Sequence, residues 1–332
     1  MGGTGLRRLL FDFGSDTIRM TVDGSRIRKA QEPAVVAHQD GGGIIAVGTA
    51  AQRMLGRGPE GLTAERPFSG GGVRSQKLAQ ALVRTMIARM PRSRWQRPEI
   101  VVALASGATA LDRRAFVLLA REAGAARVAF AQLAACRALG LDLPLFQPCG
   151  SLIIDVGASQ TQVDLMSLGR TVVSATLPEG GDALDEAIAR RLRESYSIMI
   201  GPTTAKTLKH DLLGEGMSDA VLHGRDLLSG LPRALRVDRK EIEAPAHLLA
   251  EHIVSTVQEL LRDVSPELVS DVAERGIVLT GGGARLRALQ QHLPEALGLP
   301  VRFDQAPEES IVAGLERLFE PRVRDQLLRR GA

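Results

Sequence analysis

Three loops that combine glycine with polar side chains recur along this chain, and each of them follows a short apolar run. The loops are Asp12-Phe13-Gly14-Ser15, Asp155-Val156-Gly157-Ala158-Ser159-Gln160-Thr161 and Thr280-Gly281-Gly282-Gly283. Glycine lets the backbone approach a ligand closely, so that consecutive N–H groups can bind a phosphate. A helix that begins after such a loop adds the positive end of its dipole. The order of the loops predicts a nucleotide bound in a cleft between two related halves.

The aspartates that open the first two loops indicate a divalent cation. A carboxylate repels a phosphate, but it can face Mg²⁺ through the water molecules that this ion usually keeps. We therefore predict that Asp12 and Asp155 bind Mg²⁺ through water as a facing pair. Taken singly, either aspartate is more typical of a residue that caps a turn at a strand end.

Length and composition predict a protein with large aliphatic cores. The 332 residues suffice for about two domains, and 44% of them are hydrophobic although only 3% are aromatic. The net charge of +4 is a modest excess, and we expect no nucleic-acid partner. Two cysteines do not make a disulfide framework. Neither a membrane span of ~18 apolar residues nor a signal peptide is evident, so we expect a cytoplasmic protein.

The two halves share an opening pattern of a strand, an Asp-x-Gly turn and a second strand. Their aspartates are 143 positions apart (155 − 12), which indicates a duplicated α/β domain. Periodicity and turn residues predict further elements. These are a hairpin from Leu9–Phe11 and Ile18–Val22, strands over Pro33–Ala37, Gly43–Val47, Glu99–Leu104 and Ile277–Leu279, a helix over Ser75–Met90, loop over residues 56–75, a turn at Gly230-Leu231-Pro232, and a long helix from Leu249 to Val264.

Longer segments resemble the MreB/Mbl family of bacterial shape-determining proteins, within the actin superfamily. The resemblance runs from about Leu9 to Leu315 and is best in the second half. The segments that carry it are Glu32-Pro33-Ala34-Val35-Val36-Ala37, Met54-Leu55-Gly56-Arg57, Arg66-Pro67, Asp155–Leu165, Gly180-Gly181-Asp182, Asp185-Glu186-Ala187-Ile188, Ile200-Gly201, Gly224–Pro232 and Arg275–Ala284.

The fold implied by this resemblance is α/β and actin-like. Two related α/β domains would surround a central nucleotide cleft, each with a smaller inserted subdomain. The first half would comprise residues 1–149, with a small subdomain at about 32–75, and would be completed by 306–332. The second half would comprise residues 150–305, with a small subdomain at about 186–262.

The resemblance also implies a ligand, ATP with Mg²⁺, and the residues that bind it. The first loop would extend to Thr17, the third to Ala284, and Lys209 matches a family position near the adenosine. The predicted nucleotide-binding residues are Asp12, Gly14, Ser15, Asp16, Thr17, Asp155, Gly157, Ala158, Ser159, Gln160, Thr161, Lys209, Gly281, Gly282, Gly283 and Ala284. The implied function is cytoskeletal: identical subunits join head to tail into filaments that organise cell-wall synthesis and cell shape. Its implied partners are the cell-wall elongation machinery and the inner face of the membrane.

Departures from the family pattern bear on the chemistry. Thr17 replaces the usual Asn, Asp16 adds a negative charge, and Ala158-Ser159-Gln160 replaces two glycines and a threonine. Gln132-Leu133-Ala134 stands where the family has Glu-Glu-Pro, whose second Glu orients or activates the attacking water. An apolar leucine does neither, so we expect impaired hydrolysis and, where hydrolysis occurs, a weak ATPase activity.

The candidate catalytic residue is Gln132, because glutamine orients water in other nucleotide hydrolases. A polar helix residue without a special role is at least as good an interpretation. One alternative keeps the fold as a degenerate interaction module with weak or no nucleotide binding. Another is a different enzyme of the superfamily, such as a sugar kinase or a chaperone ATPase. The basic segment around Trp95 is either a membrane or partner contact or, as we favour, a solvated loop.

Overall fold

A computed structural model describes residues 7–23, 28–90, 97–214 and 217–330. The prediction made for Trp95 lies outside the described residues. The described part of the chain divides into two compact units. Unit 1 takes in the described residues of Met1–Cys149, Met166–Val172 and Glu308–Ala332, and unit 2 those of Gly150–Leu165 and Val173–Pro307. Within these ranges, every helix is too short or too polar to cross a membrane.

Strands and helices alternate along much of the chain. The strands are β1 Arg8–Phe13, β2 Thr17–Val22, β3 Arg28–Pro33, β4 Val36–Gln39, β5 Ile44–Val47, β6 Leu62–Glu65, β7 Phe68–Ser69, β8 Gly72–Val73, β9 Glu99–Leu104, β10 Arg127–Gln132, β11 Ser151–Val156, β12 Thr161–Ser167, β13 Arg170–Leu177, β14 Ile198–Met199, β15 Asp219–Asp226, β16 Pro232–Asp238, β17 Ile277–Thr280, β18 Val301–Phe303 and β19 Arg329–Arg330. The helices are α1 Thr49–Gln52, α2 Gln76–Ala88, α3 Ala110–Glu122, α4 Leu133–Gly140, α5 Gly181–Tyr196, α6 Pro202–Lys209, α7 Lys240–Arg262, α8 Pro266–Arg275, α9 Arg287–Leu297, α10 Pro307–Arg317 and α11 Pro321–Leu327. A π-helical turn covers His210–Gly214, and a 3₁₀ turn covers Gly282–Arg285.

The main sheet of unit 1 has the strand order β19-β10-β9-β1-β2-β3. Strand β1 is antiparallel to β2 and parallel to β9. Because successive side chains of a strand point to opposite faces, Phe11 and Phe13 enter a core that also contains Phe68 and Phe116. Asp12 therefore faces the other side of the sheet, close to the end of β1.

The main sheet of unit 2 has the order β13-β12-β11-β17-β18. Apolar faces of α5, α7 and α9 pack on its core, through side chains such as Ile188, Ile253 and Leu289. Strands β11 and β17 are parallel, and their register sets Asp155 opposite Thr280. This pairing brings the second and third loops to the same edge of the sheet.

Each unit also contains a small sheet. In unit 1 its order is β5-β4-β6, and in unit 2 it is β14-β15-β16. The turn between β15 and β16 is held by the Asp226 carboxylate, which accepts hydrogen bonds from the backbone N–H groups of Leu228 at 3.0 Å and Ser229 at 2.8 Å. These bonds lower the pKa of Asp226 to about 2. The side chain of Leu228, at the tip, is 88% exposed.

Several predicted elements are confirmed, among them the first hairpin and the strand Glu99–Leu104. The turn predicted at Gly230-Leu231-Pro232 lies a few residues earlier, because Pro232 is already the first residue of β16. The strand predicted over Pro33–Ala37 is wrong, because β3 ends at Pro33 and β4 begins only at Val36. Between them, the N–H of Ala34 donates to the carbonyl of Asp16 at 2.8 Å instead of to a ladder partner. The loop predicted over 56–75 is also wrong, since β6, β7 and β8 lie there and the two glycines after Ser69 close the β7–β8 hairpin.

Candidate functional site

The first loop is the tight turn of the β1–β2 hairpin in unit 1. Phe13 pairs with Ile18, so the turn consists of Gly14, Ser15, Asp16 and Thr17. A Cβ atom added to Gly14 would press against the carbonyl oxygen of Thr17. The turn therefore needs glycine for its own geometry, before any ligand is considered.

Two arginines neutralise the carboxylates of this first loop. The guanidinium of Arg19 lies 3.0 Å from the carboxylate of Asp12, which it faces across the hairpin. The guanidinium of Arg66 lies 2.8 Å from the carboxylate of Asp16. The charge that Asp16 adds near the predicted phosphate is thus balanced within unit 1. Both arginines were missed in the sequence, although Arg19 could have been found from the hairpin register.

The candidate catalytic residue, Gln132, is exposed at the end of β10, directly before α4. The side chain of Gln132 makes no cap hydrogen bond to that helix, so its side-chain amide is available to bind a water molecule. Leu133, the first residue of α4, is half-buried. One turn further, burial and the negative charge of Asp12 raise the pKa of the Cys136 thiol to about 12, so this cysteine is not a nucleophile at neutral pH.

The second loop is tied to the beginning of α5 in unit 2. The N–H of Gly157 donates to the carbonyl of Gln160 at 3.0 Å, which closes the turn. The N–H groups of Gly181 and Asp182 donate to the carbonyls of Gly157 and Ala158 at 2.9 and 2.8 Å. The first amides of α5 thus hold the loop itself, although the helix dipole still points toward it. Thr161 is buried, and its hydroxyl donates to the carbonyl of Glu179 at 2.8 Å.

Close packing of this loop on α5 depends on Gly180. A Cβ atom there would lie 2.5 Å from the carbonyl oxygen of Gly157 and 2.8 Å from that of Ala158. Real Cβ atoms do not approach oxygen so closely, so a side chain at this position would push the loop away from the helix. The half-buried Ser159 completes the turn.

Lys209 lies inside unit 2, where its ammonium group joins α6 to α5. Its Nζ atom donates to the carbonyl of Gly181 at 2.8 Å and lies 2.8 Å from the carboxylate of Asp185. Both side chains are almost fully buried. Burial raises the pKa of Asp185, and the nearby Lys209 charge opposes that rise. Lys209 therefore supports the second loop through Gly181, a function that the sequence alone did not indicate.

The three glycines of the third loop differ in what surrounds them. Gly281 has a φ of +80°, and a Cβ atom there would lie 2.6 Å from the carbonyl oxygen of Val156. A Cβ atom on Gly283 would lie 2.5 Å from the Cβ of Val156. Next to Gly282, by contrast, the described residues place no atom within 4 Å of an added Cβ. Two of the glycines are thus required by packing against β11, and Gly282 alone of the three leaves open space for a ligand.

Buried polar contacts fix the base of the third loop. The hydroxyl of Thr280 donates to the carboxylate of Asp304 at 2.7 Å, and both groups are buried. Ala284 is buried as well, so its contribution to a ligand site would come from its backbone. Within unit 2 the structure thus brings together Asp155, the second loop, Lys209 and the third loop. The first loop and Gln132 belong to unit 1.

Comparison with known proteins identifies the family. A family model described as MreB/Mbl protein matches residues 7–326. The chain belongs to the MreB/Mbl family. It is 35% identical over 323 residues to the cell shape-determining protein MreB of Escherichia coli, with 94% of this chain and 93% of the relative covered. It is 30% identical over 317 residues to the cell shape-determining protein Mbl of Bacillus subtilis, with 93% and 94% covered.

Several solved structures share the fold of this chain. MreB5 of Spiroplasma citri bound to ADP superposes with a TM-score of 0.91 at 27% identity, covering 96% of this chain and 98% of that one. The same protein bound to AMPPNP gives a TM-score of 0.91 at 28% identity, covering 98% of both chains. A MamK double helical filament shares the fold with a TM-score of 0.77 at 20% identity, covering 94% of this chain and 99% of that one. The predicted family and the actin-like α/β fold are confirmed.

Proposed function

We propose that this member of the MreB/Mbl family binds ATP and polymerises head to tail into cytoplasmic filaments that organise cell-wall synthesis and cell shape. Support for nucleotide binding comes from the similar MreB5 protein, whose structures hold ADP and AMPPNP. Support for filaments comes from family membership and from the fold that the chain shares with the MamK double helical filament. A head-to-tail contact that does not close into a ring continues into a filament.

The observation that carries the nucleotide proposal is the environment of Gly282. Its two neighbours need to be glycine because Val156 lies against them, whereas Gly282 is exposed and meets nothing within 4 Å among the described residues. A glycine that the fold does not require, in a loop built on buried polar contacts, fits a position where a phosphate or ribose approaches the backbone.

Mg²⁺ fits the chain unevenly. Asp155 is half-buried at the edge of unit 2 and stays a candidate to face the ion through water. Asp12 is buried against Arg19, and a second cation there would be repelled by the guanidinium. Among the described residues, moreover, acidic, histidine and cysteine side chains form no cluster that could hold a metal by itself.

We further propose that hydrolysis is slow. The position that would need a carboxylate to activate water is held by the half-buried Leu133, and the neighbouring Gln132 lies outside the helix that begins there. A glutamine orients water but does not accept its proton at neutral pH, since the amide is not basic. Filaments of this protein should therefore persist after assembly, in contact with the cell-wall elongation machinery and the inner face of the membrane.

One substitution separates the nucleotide proposal from the requirements of the fold. Gly282→Ala adds a methyl group where the protein has room, so we expect unchanged thermal unfolding and a loss of nucleotide affinity of about tenfold or more. The measurement is titration with a fluorescent ADP analogue. Gly43→Ala is the matched control, because a Cβ there also meets only ordinary contact and the residue lies in the turn between β4 and β5 of unit 1. Equal affinity in both variants would contradict the proposal.

Filament formation and hydrolysis are tested in one sample. The protein is sedimented with and without ATP and Mg²⁺, and phosphate release is followed in parallel. Pelleting with little phosphate release is the expected result. Pelleting with rapid release would contradict slow hydrolysis. If the protein neither pellets nor binds nucleotide, the alternative of an interaction module is correct. One observation favours that alternative: the first N–H groups of α5 already donate to carbonyl groups of the second loop and are not available to a phosphate.

A further inference from the structure

The pair formed by Asp12 and Arg19 is a fixed part of the β1–β2 hairpin. The two residues are directly opposite in the antiparallel register, so their side chains stand on the same face of the sheet. Their charged atoms are 3.0 Å apart, and the side chains are only 7% and 14% exposed. A charge-assisted bond of this length in a buried position is strong and persistent.

The pair lies close to the Cys136 thiol, which is also near the buried Arg137. The same face of the hairpin carries Leu10 and Thr21, both buried, and the nearby thiol of Cys136 has a pKa too high to ionise at neutral pH. Arg19 is the cation whose ion pair with Asp12 the structure records. Its Nε atom is buried and has no hydrogen-bond partner in the described part of the chain, so the guanidinium is not saturated by protein contacts.

The second carboxylate of the loop is neutralised in the same way. Asp16, in the turn itself, bonds to Arg66 at 2.8 Å, and its backbone carbonyl accepts from Ala34. Both acidic groups of the first loop are thus balanced by arginines of the same unit. An unbalanced carboxylate would repel a nucleotide unless a metal ion lay between them.

We infer that Arg19 neutralises Asp12 at the first loop in place of a divalent cation, so that nucleotide affinity depends only weakly on Mg²⁺. The inference rests on the proposed nucleotide binding. Arg19 acts through Asp12: it keeps the carboxylate from repelling phosphate, with no metal required at that position. Replacing Arg19 by an apolar residue should expose the nucleotide to an uncompensated Asp12 and make Mg²⁺ necessary.

The first test needs no variant. The dissociation constant of a fluorescent ADP analogue is measured at pH 8 in MgCl₂ and in EDTA. We expect the two constants to differ by less than about fivefold, which is the lower end of the coupling usually seen between two bound species. A larger ratio overturns the inference while leaving nucleotide binding intact. Absence of binding in both buffers overturns the proposed function itself, and the inference with it.

The second test changes Arg19. Arg19→Met should raise the ratio between EDTA and MgCl₂ above about fivefold, mainly by weakening binding in EDTA. Arg19→Lys keeps a positive charge and should restore a ratio close to that of the wild type. Arg8→Met is the matched control, since Arg8 forms an ion pair with Glu99 at 2.8 Å in the same sheet but at the opposite end of β1.

A merely structural effect of the substitution would lower affinity equally in both buffers and leave the ratio unchanged. An unchanged ratio in folded Arg19→Met therefore overturns the inference, as does a raised ratio in Arg8→Met. Folding of each variant is checked by its thermal transition. Should Arg19→Met fail to fold, the wild-type ratio and Arg19→Lys still decide the question, because Arg19→Lys tests whether any cation suffices.

Discussion

The contact between α4 and α10 in unit 1 predicts an unusual response to a glycine-to-alanine change. A Cβ atom on Gly314 would lie 2.7 Å from the carbonyl carbon of Cys136 and 3.1 Å from the backbone nitrogen of Gly140. Gly140 faces the same contact, since its own Cβ would lie 2.6 Å from the carbonyl carbon of Ser310. The two helices thus touch through their backbones, and both positions are glycine because any side chain would separate them.

Two opposing terms determine the effect of Gly314→Ala. Alanine favours a helix interior over glycine by about 1 kcal/mol. Against this, carbon atoms prefer separations of about 3.5–4.0 Å, so the helices would have to move apart by roughly 1 Å. Overpacking of this kind costs about 1–3 kcal/mol, and the upper end applies because a backbone contact has no rotamer that relieves it. We expect a net loss of about 2 kcal/mol in the free energy of unfolding.

Urea unfolding followed by circular dichroism measures this change, with the slope of the transition as a check on the unfolded state. Ala313→Gly, one residue earlier in α10, is the matched control and should cost about 1 kcal/mol by helix propensity alone. The sign decides the matter: a stabilised Gly314→Ala variant would show that propensity outweighs the contact and would refute the packing argument. Adding Gly140→Ala should cost less than the sum of the single changes, because both substitutions separate the same helices.

The remaining predictions concern buried and surface charges of unit 2. Lys209→Met should lower the free energy of unfolding by about 3 kcal/mol, because it leaves the Asp185 carboxylate buried without its cation. Adding Asp185→Leu should recover most of this loss. The measurement is urea unfolding, and an effect of Lys209→Met below about 1 kcal/mol would refute the pairing. The turn held by Asp226 should keep its order down to acid pH, since its contribution is complete above the ordinary aspartate pKa near 4 and is lost as the pH falls through about 2. The amide NMR signals of Leu228 and Ser229 report this titration, and a midpoint near 4 would show that the carboxylate bonds do not hold the turn.

Local sequence signals were sufficient for those elements whose causes are local. The hairpin around the first loop could be predicted because alternating apolar residues on both sides of Gly14 leave one arrangement that buries Phe11 and Met20 together. After Glu99, the strand Glu99–Leu104 is a continuous apolar run, as expected for a strand buried on both faces. The break after Pro33 was missed because it depends on a hydrogen bond to Asp16, which a strand pattern does not contain.

The chemistry of the candidate site was less predictable, because it depends on partners that are distant in the chain. The arginine that neutralises Asp16 is 50 positions away, and no spacing rule connects the two residues. Lys209 could be linked to a ligand site by resemblance, but its burial against Asp185 follows from how α6 packs on α5. The glycines of the third loop look equivalent in the sequence, and only the position of Val156 separates Gly282 from its neighbours.

The ion pairs of the first loop and the residue at position 133 favour the same proposal. Arg19 and Arg66 balance Asp12 and Asp16, and Leu133 stands where the family resemblance implies a carboxylate that activates water. A site with these properties can hold a nucleotide without consuming it. Such a ligand acts as a structural component, which stabilises the folded state by about 2.7 kcal/mol when its concentration is one hundred times the dissociation constant. The proposals of slow hydrolysis and of weak dependence on Mg²⁺ are therefore mutually consistent: a protein that does not depend on hydrolysis has less need of the metal that assists it, and arginines balance the carboxylates of the first loop.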